Sequence, residues 1–372
     1  MGVFFFAVLG IALLMIIHEA GHYLAARAFG MKVIRFSIGF GPAIWRYRSR
    51  KTGTIFQVAL IPFFAFVQIA GMNPFEDVDP EDKSSYANAS LFGRITTIVA
   101  GPLANYLFAS VLFFGAFYIG GESVWANQIK VMEDGAAERA QMLSGDEIAK
   151  IDGRKIEEFE QLRDIVMENP NKALEFTVYR GGKEVTLTVT PEAKADGGKG
   201  LIGVTPILKQ LPMTLAAAAK RSITEPAMIV KTTIVQIAQI VTRKVDPEIA
   251  GPVKIGEHLG KAAERGMHVY LWWLGLLSAY LGAFNMLPYP ALDGGRFVFL
   301  GYEAVTRRKP NARLEASIHT VGLLTLLALI TVVTVKEVGS LVTGEPDKQE
   351  RSDKPEKKSA DEAEPKKSAK SD

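Results

Sequence analysis

Long apolar runs alternate with polar stretches along this chain, and the runs set the architecture it predicts. Residues 1–29 open on an apolar run that reaches Ile17, which predicts a membrane-spanning helix ending near Gly30. Residues 92–119, 267–287 and 316–335 predict three further spans. Between the first two, residues 31–72 read as strands. Ser37 to Pro42 is turn-rich, Thr54 to Ile61 is β-rich and closed by Pro62, and the run after it is too short to span as a helix. Residues 122–206 change character. Leu174–Tyr179 and Glu184–Val189 alternate around the turn Arg180–Lys183, which predicts a hairpin, with a helix expected over residues 158–168. Ile223 to Val241 is apolar but interrupted by Glu225, Pro226, Lys231 and Gln236. It reads as an amphipathic helix lying on the outer membrane surface, with a loop expected at 251–257.

The expected fold class is a polytopic α-helical membrane protein with four transmembrane helices, a membrane-associated β-hairpin or sheet, and an extracytoplasmic α+β domain. Residues 1–121 would form an N-terminal membrane half and 122–206 the α+β domain. Residues 207–266 would be an interfacial linker, 267–336 a C-terminal membrane half, and 337–372 a disordered tail rich in Lys, Glu, Asp and Ser.

Composition agrees with a membrane protein carrying a soluble insert: 48% of residues are hydrophobic and mean hydropathy is +0.14. A net charge of only +3 gives no signal for nucleic-acid binding. Absence of cysteine excludes disulfides, thiolate catalysis and a cysteine-based zinc site. Charge also orients the chain. Arg27, Lys32, Arg35, Arg46, Arg48, Arg50 and Lys51 occur with no acid between Glu19 and Glu76, which places this segment in the cytoplasm. Arg296, Arg307, Arg308, Lys309 and Arg313 against Glu303 do the same after the third span. Both termini and residues 122–206 are then outside. The first run lacks a basic leader and carries His18-Glu19 where a cleavage site would sit, so it reads as a retained spanning helix rather than a signal peptide.

The chemistry lies in His18-Glu19-Ala20-Gly21-His22. Histidines four apart share one helix face and can hold one zinc ion, and Glu19 can take a proton from water at the metal. A glutamate and two histidines in an apolar run are costly to bury without a task. The third span breaks at Asn285-Met286-Leu287-Pro288-Tyr289-Pro290-Ala291-Leu292-Asp293-Gly294. Irregular backbone at that depth must be buried in protein or line a wet cavity. The topology brings Asp293 to the leaflet of His18 and His22, which completes the three protein ligands of a catalytic zinc site. A helix cap is the other reading of Asp293. In the second span, Ala100-Gly101-Pro102-Leu103-Ala104-Asn105 puts small residues, a kink and an amide at membrane depth, with close helix packing expected of Gly101 and Pro102. His258 and His268 read as interfacial bystanders.

Residues 134–153 contain Gly145-Asp146-Glu147-Ile148, which resembles the Gly-Asp-x-Ile turn of bacterial PDZ domains. Together with the histidine motif, Gly39-Phe40-Gly41-Pro42, the Ala100–Asn105 segment and the Asn285–Gly294 segment, taken in that order, the chain resembles the site-2 protease family of intramembrane zinc metalloproteases. The likeness is to the bacterial regulator-of-sigma-factor branch, over about residues 1–335. It implies one Zn2+ per chain on His18, His22 and Asp293, Glu19 as general base, and substrate contacts from Asn285, Pro288 and Asn105. The implied partners are the lipid bilayer and a single-pass transmembrane substrate already cut by another protease, such as an anti-sigma factor or a remnant signal peptide. Two features depart from the family pattern. Phe64 and Ala65 stand where a glycine pair usually follows the proline, and one PDZ domain stands where some relatives have two. The rival classes are a non-catalytic PDZ-containing receptor with a vestigial metal site and a membrane-anchored metalloprotease cutting soluble loops.

Overall fold

The structure is a computed structural model that describes residues 2–73, 76–193, 198–242 and 250–343. The chain divides into two compact units, residues 1–112 with 224–372 and residues 113–223. In chain order the first unit opens with α1 (Gly2–Ala28), β1 (Val33–Arg48) and β2 (Ile55–Ile69), and α2 (Leu91–Gly120) runs from it into the second. The second unit holds β3 (Glu122–Val131), α3 (Ala136–Arg139), β4 (Glu147–Ile151), β5 (Arg154–Lys155), α4 (Phe159–Glu168), β6 (Leu174–Arg180) and β7 (Lys183–Val189). It ends with β8 (Glu192–Ala193), β9 (Gly200–Leu201) and β10 (Val204–Leu211). The chain then returns through α5 (Leu215–Val241), α6 (Pro252–Glu264), α7 (Met267–Asn285), α8 (Asp293–Thr306) and α9 (Ala312–Thr343).

Among the described residues, four helices are long and apolar enough to cross a membrane: Phe5–Ala28, Leu91–Gly120, Met267–Asn285 and Ala312–Thr343. These are the four expected spans, with the last extended at both ends. Residues 337–343, expected to be tail, continue α9, and the tail from residue 344 lies outside the described residues. The expected loop at 251–257 is a helix instead. Pro252 occupies the first helical turn, where its missing N–H costs nothing. The buried carboxylate of Glu337 accepts hydrogen bonds from the backbone N–H of Gly251 (2.6 Å) and Val253 (3.1 Å), which caps α6.

The sheet of the first unit is more folded than a hairpin. Residues 35–38 pair with 65–68 on one side and with 55–58 on the other, while 55–59 also pairs with 43–48. The reversal inside β1 falls at Gly39 and Gly41, whose φ values of +90° and +94° favour glycine. Residues 65–69 are therefore an outer edge. The helices meet closely where glycine permits. A Cβ on Gly10 would lie 2.7 Å from Leu274 and 2.8 Å from the Tyr270 hydroxyl, so α1 crosses α7 at this point.

The second unit is α+β, as expected. Its strands run in the order β10-β3-β4-β6-β7, with β5 paired to β4. The predicted hairpin is β6–β7, in register from Leu174↔Val189 to Arg180↔Lys183. Ile129, Ile148, Ile151, Leu162, Leu174, Phe176 and Val189 form its core. The Gly145-Asp146 turn has a specific fastening: Asp146 is buried, accepts from Leu143 N (2.9 Å), and takes a two-pronged contact from Arg180 at 2.7 and 2.8 Å.

Candidate metal centre and active site

Helix α1 carries His18 and His22 on one face, and both residues are buried at 5% exposure. Their Nε2 atoms lie 3.2 Å apart. Asp293, the first residue of α8, brings Oδ2 to 3.1 Å from the His18 Nε2 and 3.2 Å from the His22 Nε2. Three candidate ligand atoms thus form a nearly equilateral triangle, although Asp293 lies 271 positions beyond His22 along the chain.

The triangle fits zinc. With metal–ligand bonds of about 2.0–2.1 Å in tetrahedral array, ligand atoms sit roughly 3.4 Å from one another. Protonation supports the same conclusion. The His22 Nδ1 lies 2.7 Å from the Thr97 carbonyl, an acceptor only, so Nδ1 carries the proton and Nε2 presents a lone pair to the centre. The Asp293 Oδ2 is buried with no hydrogen-bond donor among the described residues. Two ring nitrogens and a carboxylate oxygen converging at this spacing offer a metal cation three ligand atoms.

Helix α2 builds the wall behind the histidines. A Cβ on Gly21 would meet the backbone of Ala100, and a Cβ on Gly101 would meet the His22 ring. Gly101 thus has the packing role expected of it, and the surface it meets is the His22 ring. Asn105 is fully buried on the same helix, with its side-chain amide 3.3 Å from the His18 Nδ1. Its carbonyl oxygen has no partner. Turning the amide over places that oxygen opposite the His18 Nδ1–H and satisfies both groups.

Glu19 is joined to the sheet. Its Oε2 accepts the Val67 backbone N–H at 2.9 Å, from the outer edge at 65–69. Sequence reasoning missed Thr97 and Val67. They act through backbone atoms, which leave no residue signature. Of the other candidates, Asn285 donates its side-chain amide to the Leu281 carbonyl (2.9 Å) within α7, and Pro288 is exposed in the loop before Asp293. The structure does not bring these two into the ligand triangle. Of the two bystander histidines, His258 stacks on Trp273 at 5.2 Å between ring centroids.

Span-length helices enclosing a His-His-Asp centre with a glutamate beside it define a membrane zinc metalloprotease. The comparisons agree. The model of peptidase family M50 matches residues 6–329. A Nostoc sp. protein that carries a zinc metalloprotease name is 32% identical over 351 residues, covering 91% of this chain and 96% of its own. Zinc metalloprotease RasP of Geobacillus kaustophilus is 28% identical, covering 87% of this chain and 95% of its own. Regulator of sigma-E protease RseP of Salmonella typhimurium is 26% identical with the same coverages. The chain belongs to peptidase family M50, the site-2 proteases. Among solved structures, the PDZ domain of an SdrC-like protein from Listeria monocytogenes matches 23% of this chain and 86% of its own, at 21% identity and a TM-score of 0.20.

Proposed function

We propose that this protein hydrolyses peptide bonds within the transmembrane segments of single-pass membrane proteins, with one zinc per chain held by His18, His22 and Asp293. The observation that supports this reading is the ligand triangle built on a span-length apolar helix. When bound, zinc supplies a Lewis acid that polarises the scissile carbonyl and acidifies water toward a pKa of roughly 7. Glu19 takes the proton from the attacking water and delivers it to the leaving amine. The Val67 N–H holds the Glu19 carboxylate, and the Asn105 amide holds the His18 ring in the tautomer that leaves Nε2 free.

A peptide bond in an intact helix is shielded by its neighbours, so substrate must be locally extended. Strand addition at the edge 65–69 is the route we favour, with Asn285 and Pro288 contacting the unwound backbone. Phe64 lies outside the residues whose side chains are described, and the exchange of the glycine pair bears on this clamping. A cavity of about 590 Å3 lined by Phe66, Val67, Met72, Asn73, Glu76 and Arg296 adjoins the Glu19 anchor and would admit water. The charge pattern supports an active site toward the cytoplasmic leaflet of a bacterial inner membrane, with both termini and the second unit outside. We read that second unit as a PDZ domain. Its groove of about 470 Å3 between α4 and residues 200–206 has the dimensions and apolar lining for an extended peptide. Substrates pre-cut outside, such as an anti-sigma factor or a remnant signal peptide, fit this arrangement.

Reconstituted with a single-pass substrate, Glu19→Gln should abolish cleavage while keeping its zinc, and Asp293→Asn should lose the metal. Full cleavage by Glu19→Gln would refute the assignment.

A further inference from the structure

The loop that presents Asp293 is held from a direction the mechanism does not use. Ala291, two residues before the ligand, has φ +78°, a left-handed conformation that disfavours any side chain. Such a conformation persists only where its surroundings fix it. Within the loop, Leu287, Tyr289 and Leu292 donate their N–H groups to Phe284, Leu287 and Tyr289 carbonyls. Ala291 does not donate to the loop. Its N–H is given to the Nδ1 of His319 on α9, at 3.0 Å. The His319 ring also packs on Phe299 of α8, the helix that begins at Asp293, with centroids 5.6 Å apart. Contacts from one side chain therefore bracket Asp293 along the chain, before and after it. Close approach supports the same dock. The Tyr289 hydroxyl donates to the Gly322 carbonyl at 3.3 Å, and a Cβ on Gly322 would collide with Pro290.

We infer that His319 is a positioning residue for the metal centre: by accepting the Ala291 N–H, it fixes the loop that aims Asp293 at His18 and His22. The choice of ring atom matters. Nδ1 must carry the lone pair, which leaves the proton on Nε2, and Nε2 is buried with no partner among the described residues. A ring placed for packing alone would not carry an unsatisfied buried N–H, and an apolar side chain would fill the site without one. The inference rests on the zinc reading of the preceding section.

The test uses the full-length chain in detergent and reads zinc affinity by competition with a chelator, with size-exclusion profile and thermal melting as controls for folding. Asparagine reproduces the reach of Nδ1 with its Oδ1, whereas glutamine reproduces that of Nε2. His319→Asn should hold zinc within about threefold of wild type, and His319→Leu and His319→Gln should bind at least about tenfold more weakly. Ala291→Gly, which accepts φ +78° freely, should shrink the loss caused by His319→Leu. A merely structural ring would give additive effects. If His319→Leu fails to fold, the Asn and Gln variants alone decide. Equal affinity in those two, or a His319→Leu affinity within twofold of wild type, overturns the inference. Should wild type hold no zinc that Asp293→Asn loses, the zinc reading itself has failed instead.

Discussion

Both histidines of the proposed zinc site have neighbours that set a proton or leave room for a ring. Thr97 fixes the His22 tautomer from a backbone carbonyl, Asn105 faces the His18 Nδ1, and Gly101 leaves space for the His22 ring. Gly101→Ala should therefore act on the metal before it acts on the fold. A Cβ at that position forces ring or helix to shift, at a cost of about 1–3 kcal/mol. Zinc content should fall while membrane insertion is unchanged; zinc at the wild-type level would show that the ring gives way freely. The candidate ligands were legible because a His-x-x-x-His spacing and a carboxylate after a broken helix are properties of residue identity. Their supports were not. A carbonyl at 97 and an N–H at 67 are present whatever the side chain, so only the fold reveals which of them point at the site. Asn105 was legible as a buried amide at membrane depth, but not as a partner of His18.

At the scale of elements, the sheet edge and the Gly145-Asp146 turn carry separable predictions. Val67→Pro removes the N–H that Glu19 accepts, at an edge where proline is tolerated. A hydrogen bond to a charged group contributes about 1.5–3 kcal/mol, so kcat should fall about tenfold or more with zinc content unchanged. An unaltered kcat would remove Val67 from the site. In the second unit, burial pushes the Asp146 carboxyl up, but the Arg180 guanidinium and the Leu143 N–H outweigh it and hold the group below the usual carboxylate range. A carboxyl depressed in the folded state adds stability above its unfolded pKa of about 3.9, and that stability is lost as pH falls through the folded value. Calorimetry of the full-length protein should show the melting of this unit dropping below about pH 4, and Asp146→Asn should flatten that dependence. A variant that keeps the wild-type acid slope would contradict it. The spans and the β6–β7 hairpin were legible from periodicity. Helix α6 was not, because Gly251-Pro252 reads equally as a break or as a helix start. The residue that settles it, Glu337, lies 86 positions away in a segment read as tail.

For the whole molecule, His18, His22 and Asp293 meet because the chain leaves after α2, forms a separate α+β unit, and returns through α7 to the broken loop. The sequence pattern conveyed that order through the alternation of apolar runs with basic flanks. It could not convey the folding of β1 and β2 on one another, since that depends on register between residues up to 36 apart. Cleavage at membrane depth is tested by mass-spectrometric mapping of the product termini from a single-pass substrate co-reconstituted in liposomes with wild-type enzyme, with Glu19→Gln as blank. New termini inside the substrate's apolar segment, absent from the blank, are the predicted result. Termini confined to the soluble flanks would contradict the account and make this a membrane-anchored protease of exposed loops.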